Sequence, residues 1–195
     1  LSGRGGGGVF LDATGRVLVP CWLDWRGASP DYLGSLGKQT ARVNASTLGM
    51  AARLLWLRQN LPDAFAQTRR ALLAKDYVLY RLTGEFAADE SSGPMGREWP
   101  PNVFEAIAGH LSQQAARDLG LRPGLPVSVG GHDGVCASIG SGMIELGHAA
   151  LTLGTTAVVR MVTAQPLYRT RSFSCFHYHF LEGRWACGGD AIMAG

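Results

Sequence analysis

Val127-Ser128-Val129-Gly130-Gly131-His132-Asp133-Gly134 begins as a short β-branched run and passes straight into glycine, and the small residues from Val135 to about Gly140 then suit a helix. Strand, tight turn and helix in direct succession indicate a mixed α/β architecture. The turn leaves Asp133 exposed where the backbone can approach a ligand and a helix begins, so its carboxylate is placed to accept a proton. By spacing alone Asp133 serves equally well as a cap for that helix, and His132 as an ordinary turn histidine.

About twenty residues downstream a second glycine punctuates two apolar runs. Ala149-Ala150-Leu151-Thr152-Leu153 leads through Gly154-Thr155-Thr156 into Ala157 to Val162, a strand, turn, strand pattern. Backbone N–H groups and hydroxyls in such a turn can cradle phosphate oxygens, although an isolated Gly-Thr-Thr is more commonly a plain hairpin turn. Two glycine-bracketed turns at this separation are what a fold needs to bring a base and a phosphate grip to one cleft.

Upstream, Val9 to Asp12 and Val17 to Pro20 flank a Gly15 turn and read as a β-hairpin. The segment Ser46–Asn60 has helical spacing ahead of Pro62, and residues 62 to 82 read as two short helices stopped by Gly84. Residues 89 to 102 form a Ser-, Gly- and Pro-rich loop, a helix lies within 103 to 119 ahead of Gly120, and the end of the chain is β-rich. Trp22-Leu23-Asp24-Trp25-Arg26 follows the second hairpin strand. Aromatic faces stack on sugar C–H surfaces while Asp and Arg bond hydroxyls, but one core tryptophan beside a surface ion pair is the simpler reading of those residues.

The 195 residues are 46% hydrophobic, enough for a sizeable core, and the net charge of +3 is scattered, so a nucleic-acid-binding arm and a polybasic membrane anchor both lack support. No apolar run is long enough to span a membrane, and Leu1 to Gly8 lacks the regions of a signal peptide. Cys21, Cys136, Cys175 and Cys187 form no Cys-x-x-Cys pair, which suits reduced thiols in a cytoplasm. Cys175, His177 and His179 alternate as ligands on one strand face would, with Cys187 nearby. That spacing matches no structural zinc site, so no metal ligand is expected.

The order of these segments resembles the FGGY carbohydrate kinases. Ser2-Gly3-Arg4-Gly5-Gly6-Gly7 is similar to that family's Ser-Gly-Gln-x-x-Gly strand end, and Trp22 to Arg26 to its Trp-x-Asp-x-Arg substrate segment. Trp56 to Pro62 and Lys75 to Glu85 resemble its paired helical signatures, with Asp89 and Ser91 in the Asp-x-Ser that follows. Gly130-Gly131-His132-Asp133 resembles the catalytic Gly-x-x-Asp, and Leu153 to Thr156 the phosphate loop. The resemblance implies an actin-like ATPase (ribonuclease H-like) fold of α/β class, incomplete at both ends, with a sugar-binding domain over 1–143 and the start of a nucleotide-binding domain over 144–195.

It further implies Asp133 as general base. Gly5, Gly6, Gly7, Trp22, Asp24, Arg26 and His132 would bind substrate, and Gly154, Thr155 and Thr156 would meet ATP. Mg2+ would accompany the nucleotide, the partner would be a small sugar or polyol, and a homodimer is compatible with it. The glycine run at 5 to 8 stands where xylulose kinases carry Met-His-Gly, which weighs against that sugar. A non-catalytic sugar-binding relative of the kinases and a small metal-binding protein are the competing readings.

Overall fold

A computed structural model describes residues 1–3, 7–22, 45–89, 105–154, 156–167, 176–181 and 183–192. The first hairpin forms as its sequence indicates, from β2 (Gly8–Leu11) and β3 (Val17–Trp22). Asp12 builds the turn: its Oδ1 accepts from the Thr14 N–H (2.8 Å), the Thr14 hydroxyl (2.7 Å) and the Arg16 N–H (3.0 Å). A short side chain that bonds the backbone just ahead of it is a turn former.

Every residue of β2 is buried, because helices cover both of its faces. Phe10 points to one face and packs with Val19 and with Leu57 of α1 (Ala45–Asn60). Val9 and Leu11 point to the other, against Leu72 and the rings of Tyr77 and Tyr80 on α3 (Ala74–Thr83). Full burial of side chains such as Phe10 and Leu11 stabilises the fold by about 1.5–3 kcal/mol each.

Between α2 (Pro62–Gln67) and α3 the chain makes β4 (Arg70–Leu72), which pairs antiparallel with β2. The two helices expected over 62 to 82 are therefore present, with a strand between them. Gly84 closes α3 in the left-handed conformation, φ 82°, and its N–H reaches the Tyr80 carbonyl. The helix expected within 103 to 119 is shorter than that window: residues 107–110 form β5 (Ile107–His110), and α4 (Gln113–Leu119) follows, capped by Ser112 and stopped by Gly120.

β5 pairs antiparallel with β6 (Pro126–Ser128), which feeds β7 (Gly131–His132) and α5 (Asp133–Gly140). Beyond α5 lies an antiparallel sheet in the order β10-β11-β9-β8, built from β8 (Ala149–Thr152), β9 (Thr156–Thr163), β10 (Phe176–Leu181) and β11 (Arg184–Ile192). Val135 of α5 and Met143 pack on Val162 and Ala186 of that sheet, so the helix that starts at Asp133 is seated on it. No helix among the described residues is long and apolar enough to cross a membrane.

Candidate functional site

The site is assembled by a pairing between distant parts of the described chain. β1 (Ser2–Gly3) runs parallel to β7, with Ser2 opposite Gly131 and Gly3 opposite His132. The Gly131 N–H donates to the Leu1 carbonyl (3.1 Å). Gly130 makes this approach with φ 74°, and a Cβ there would collide with the same carbonyl, so only glycine fits.

Lys75 ties α3 into this junction. Its Nζ donates to the Val129 carbonyl (3.1 Å) and to Asp76 Oδ1 (2.6 Å), and lies 3.0 Å from Asp89 Oδ1. The Lys75 Cβ also packs on Gly3, where an added Cβ would stand only 2.8 Å away. All three charged side chains are at most 2% exposed. Burial disfavours the Lys75 ammonium, but the charges of Asp76 and Asp89 more than offset it and raise the Lys75 pKa. One ammonium serves two carboxylates, and Asp76 Oδ2 has no hydrogen-bond partner among the described residues; burial pushes the Asp76 carboxyl up to about 6 against the pull of Lys75.

Asp133 opens α5 with its side chain 53% exposed. Its Oδ1 accepts from the Gly134 N–H (2.8 Å), and His132 Nδ1 lies 3.1 Å from the same oxygen. That Nδ1 is also 3.2 Å from the Gly134 nitrogen. Unprotonated it accepts from the Gly134 N–H, and protonated it donates to Asp133 instead. One oxygen of Asp133 is thus held by its surroundings while the side chain remains half open to solvent. A carboxylate in that state can take a proton from a bound hydroxyl.

The chain's first 95 residues match the family model described as the FGGY family of carbohydrate kinases, N-terminal domain. The xylulose kinase of Escherichia coli (strain K12) is 32% identical over 95% of this chain and 44% of its own length. An autoinducer-2 kinase of Yersinia enterocolitica is 31% identical over 75% of the chain and 34% of its own length. The crystal structure of a xyloylose kinase from Brucella ovis superposes with a TM-score of 0.83 at 28% identity, over 100% of this chain and 46% of that one. The chain belongs to the FGGY family of carbohydrate kinases. It spans about half the length or less of these FGGY relatives, and their fold, the actin-like (ribonuclease H-like) ATPase fold, is its own.

Of the residues expected to act in an FGGY site, Asp133 and His132 lie side by side at the head of α5, next to the end of β1. Gly7 is buried just ahead of β2, and Trp22 ends β3 opposite Gly8. Gly154 lies in the exposed turn between β8 and β9, and Thr156 begins β9 opposite Ile192. Gly5, Gly6, Asp24, Arg26 and Thr155 lie outside the described residues. Among the described residues no hydrogen bond or ion pair joins the Gly154 turn to Asp133.

Cys187 is buried and takes a hydrogen bond at Sγ from the Leu167 N–H (3.3 Å), with the Thr163 hydroxyl 3.1 Å away. Its cross-strand neighbour His177 sits 3.1 Å from the Leu167 carbonyl through Nδ1. Among the described residues no cluster of three or more His, Cys, Asp or Glu could hold a metal ion, and Cys175 lies outside them. The burial of Lys75 beside the site was not legible in the sequence, since a lysine at the head of a helix is an ordinary surface residue by pattern and its burial comes from the fold.

Proposed function

We propose that the intact protein transfers a phosphoryl group from ATP to a hydroxyl of a sugar or polyol, with Asp133 as general base. The observation that carries this reading is the parallel pairing of β1 with β7, which sets Gly3 at the end of β1 opposite His132, next to a half-exposed carboxylate. Gly5, Gly6, Gly7, Trp22, Asp24, Arg26 and His132 would line the sugar site. There a few well-placed hydrogen bonds satisfy the hydroxyls the site buries. Asp133 would accept the hydroxyl proton as that oxygen becomes the nucleophile, while His132 and the Gly134 N–H keep the carboxylate turned toward it.

Gly154, Thr155 and Thr156 would meet the nucleotide phosphates. Gly154 fits that role, since it lies exposed in a turn with an open backbone. ATP with Mg2+ supplies the phosphoryl group and offsets its charge. Residues 1–143 would form the sugar-binding domain and 144–195 the beginning of the nucleotide-binding one. Free thiols at Cys136 and Cys187 suit a reducing cytoplasm.

The test is a panel of sugars and polyols presented with ATP to the intact protein, read as ADP release. Asp133→Asn should lower kcat by about 10²–10⁴-fold with the affinity for sugar retained. Full turnover in that variant would remove Asp133 from the role. Calorimetric sugar binding with no ADP released from any substrate would favour a kinase-like binding module instead.

A further inference from the structure

Arg160 lies in the middle of β9, opposite Gly188 of β11, and is only 6% exposed. Its Nε has no hydrogen-bond partner among the described residues. The guanidinium carbon sits 5.5 Å from the centre of the Phe176 ring. Nη2 rests against Gly134, the second residue of α5, so closely that a Cβ there would overlap it.

A buried cation is costly, and the N-terminus of a helix repels it further, because the unpaired N–H groups there carry partial positive charge. Such a placement needs a negative charge in compensation. Burial works to lower the Arg160 pKa, and the nearby groups that oppose it are Tyr178, Asp133 and Asp190. Of the two carboxylates, Asp133 is on α5 itself, one residue from the point where the guanidinium rests.

The side chains around the head of α5 close into a ring. Phe176 stacks on Tyr178 (centroids 5.1 Å apart), Tyr178 stacks on His132 (5.3 Å), and His132 Nδ1 is 3.1 Å from Asp133 Oδ1. Arg160 completes the circuit from Phe176 back to Gly134, whose N–H holds Asp133 Oδ1. The sheet that follows α5 therefore holds the residues on either side of the proposed base, His132 and Gly134.

We propose that Arg160 is a positioning residue for Asp133: its guanidinium, seated on Gly134 and against Phe176, fixes the head of α5 and orients the Asp133 carboxylate. This rests on the reading of Asp133 as the base of a sugar kinase. Misplacement of a reacting group by about an ångström can cost on the order of 10²-fold in rate. In the intact protein, Arg160→Gln should lower kcat about 10- to 100-fold and leave KM for sugar and ATP within about twofold, while Arg160→Lys recovers part of the loss. The Gly134 amide resonance, which reports the bond to Asp133, should move in Arg160→Gln and stay nearer its place in Arg160→Lys.

Unchanged kcat together with an unmoved Gly134 resonance overturns the proposal, as does a loss confined to KM. If Arg160→Gln does not fold, Gly134→Ala asks the same question by placing a methyl group where Nη2 sits. It should lower kcat and shift the Asp133 carboxyl resonance, and a fully active Gly134→Ala overturns the proposal. The amide readout needs no turnover. If no substrate is phosphorylated but that resonance moves, the kinase reading fails and the role of Arg160 stands; if phosphorylation proceeds and neither measure moves, only the role of Arg160 fails.

Discussion

Replacing Asp76 by asparagine should remove a distinct acid-range dependence of stability. The Asp76 side chain is fully buried, it shares one ammonium with Asp89, and its carboxyl is pushed up to about 6 from an ordinary 3.8. The native state therefore holds a proton that the unfolded chain releases at lower pH. Between those two values the folded protein binds more protons than the unfolded one, so stability falls as pH rises, and the cost is fully present above about pH 6. A separation of about two units corresponds to about 3 kcal/mol.

The amide introduced by Asp76→Asn cannot titrate, so the difference in unfolding free energy between wild type and variant should shift by about 3 kcal/mol in favour of the variant from about pH 4 to about pH 7. The difference cancels the groups that titrate in this range without contact with Asp76 or Lys75. Urea unfolding followed by tryptophan fluorescence at several pH values measures it. Parallel profiles across that window would refute the reasoning. They would mean that the attraction of Lys75 balances burial, and that Asp76 ionises in the fold as readily as in the open chain.

Lys75→Met removes the cation from two buried carboxylates and the bond to the Val129 carbonyl. Breaking a buried pair from one side costs about 3–5 kcal/mol, and the deficit should shrink as pH falls below about 6 and Asp76 takes up its proton; a deficit independent of pH in chemical denaturation would contradict this. Gly130→Ala must adopt φ 74° and displace the Leu1 carbonyl, which costs at least about 1–2 kcal/mol from the backbone alone. Because the β1–β7 pairing is what it disturbs, kcat should fall more than global stability does, as steady-state kinetics beside thermal melts would reveal.

Much of the local structure could be read from the chain. The Asp12 to Arg16 turn, the stops at Gly84 and Gly120 and the strand, turn and helix around Asp133 each depend on a few neighbouring residues whose steric preferences act at short range. β4 and β5 escaped notice for the opposite reason. Three or four residues carry no usable periodicity, and their hydrogen bonds come from β2 and β6, which lie far off in sequence. Propensity favoured helix in both windows, and pairing overrode it.

The candidate site divides the same way. Asp133 and the glycines before it are visible because a carboxylate on a glycine turn is a local pattern, and the order of the motifs alone points to the FGGY family. Sequence by itself determined the α/β class, the family and the residue proposed as base. Only the tertiary structure decided that β1 lies against β7, that Lys75 bonds the strand leading to Asp133, and that Arg160 closes on Gly134. Those three contacts join residues distant along the chain, and their energies depend on burial and approach, which exist only once the chain has folded back on itself.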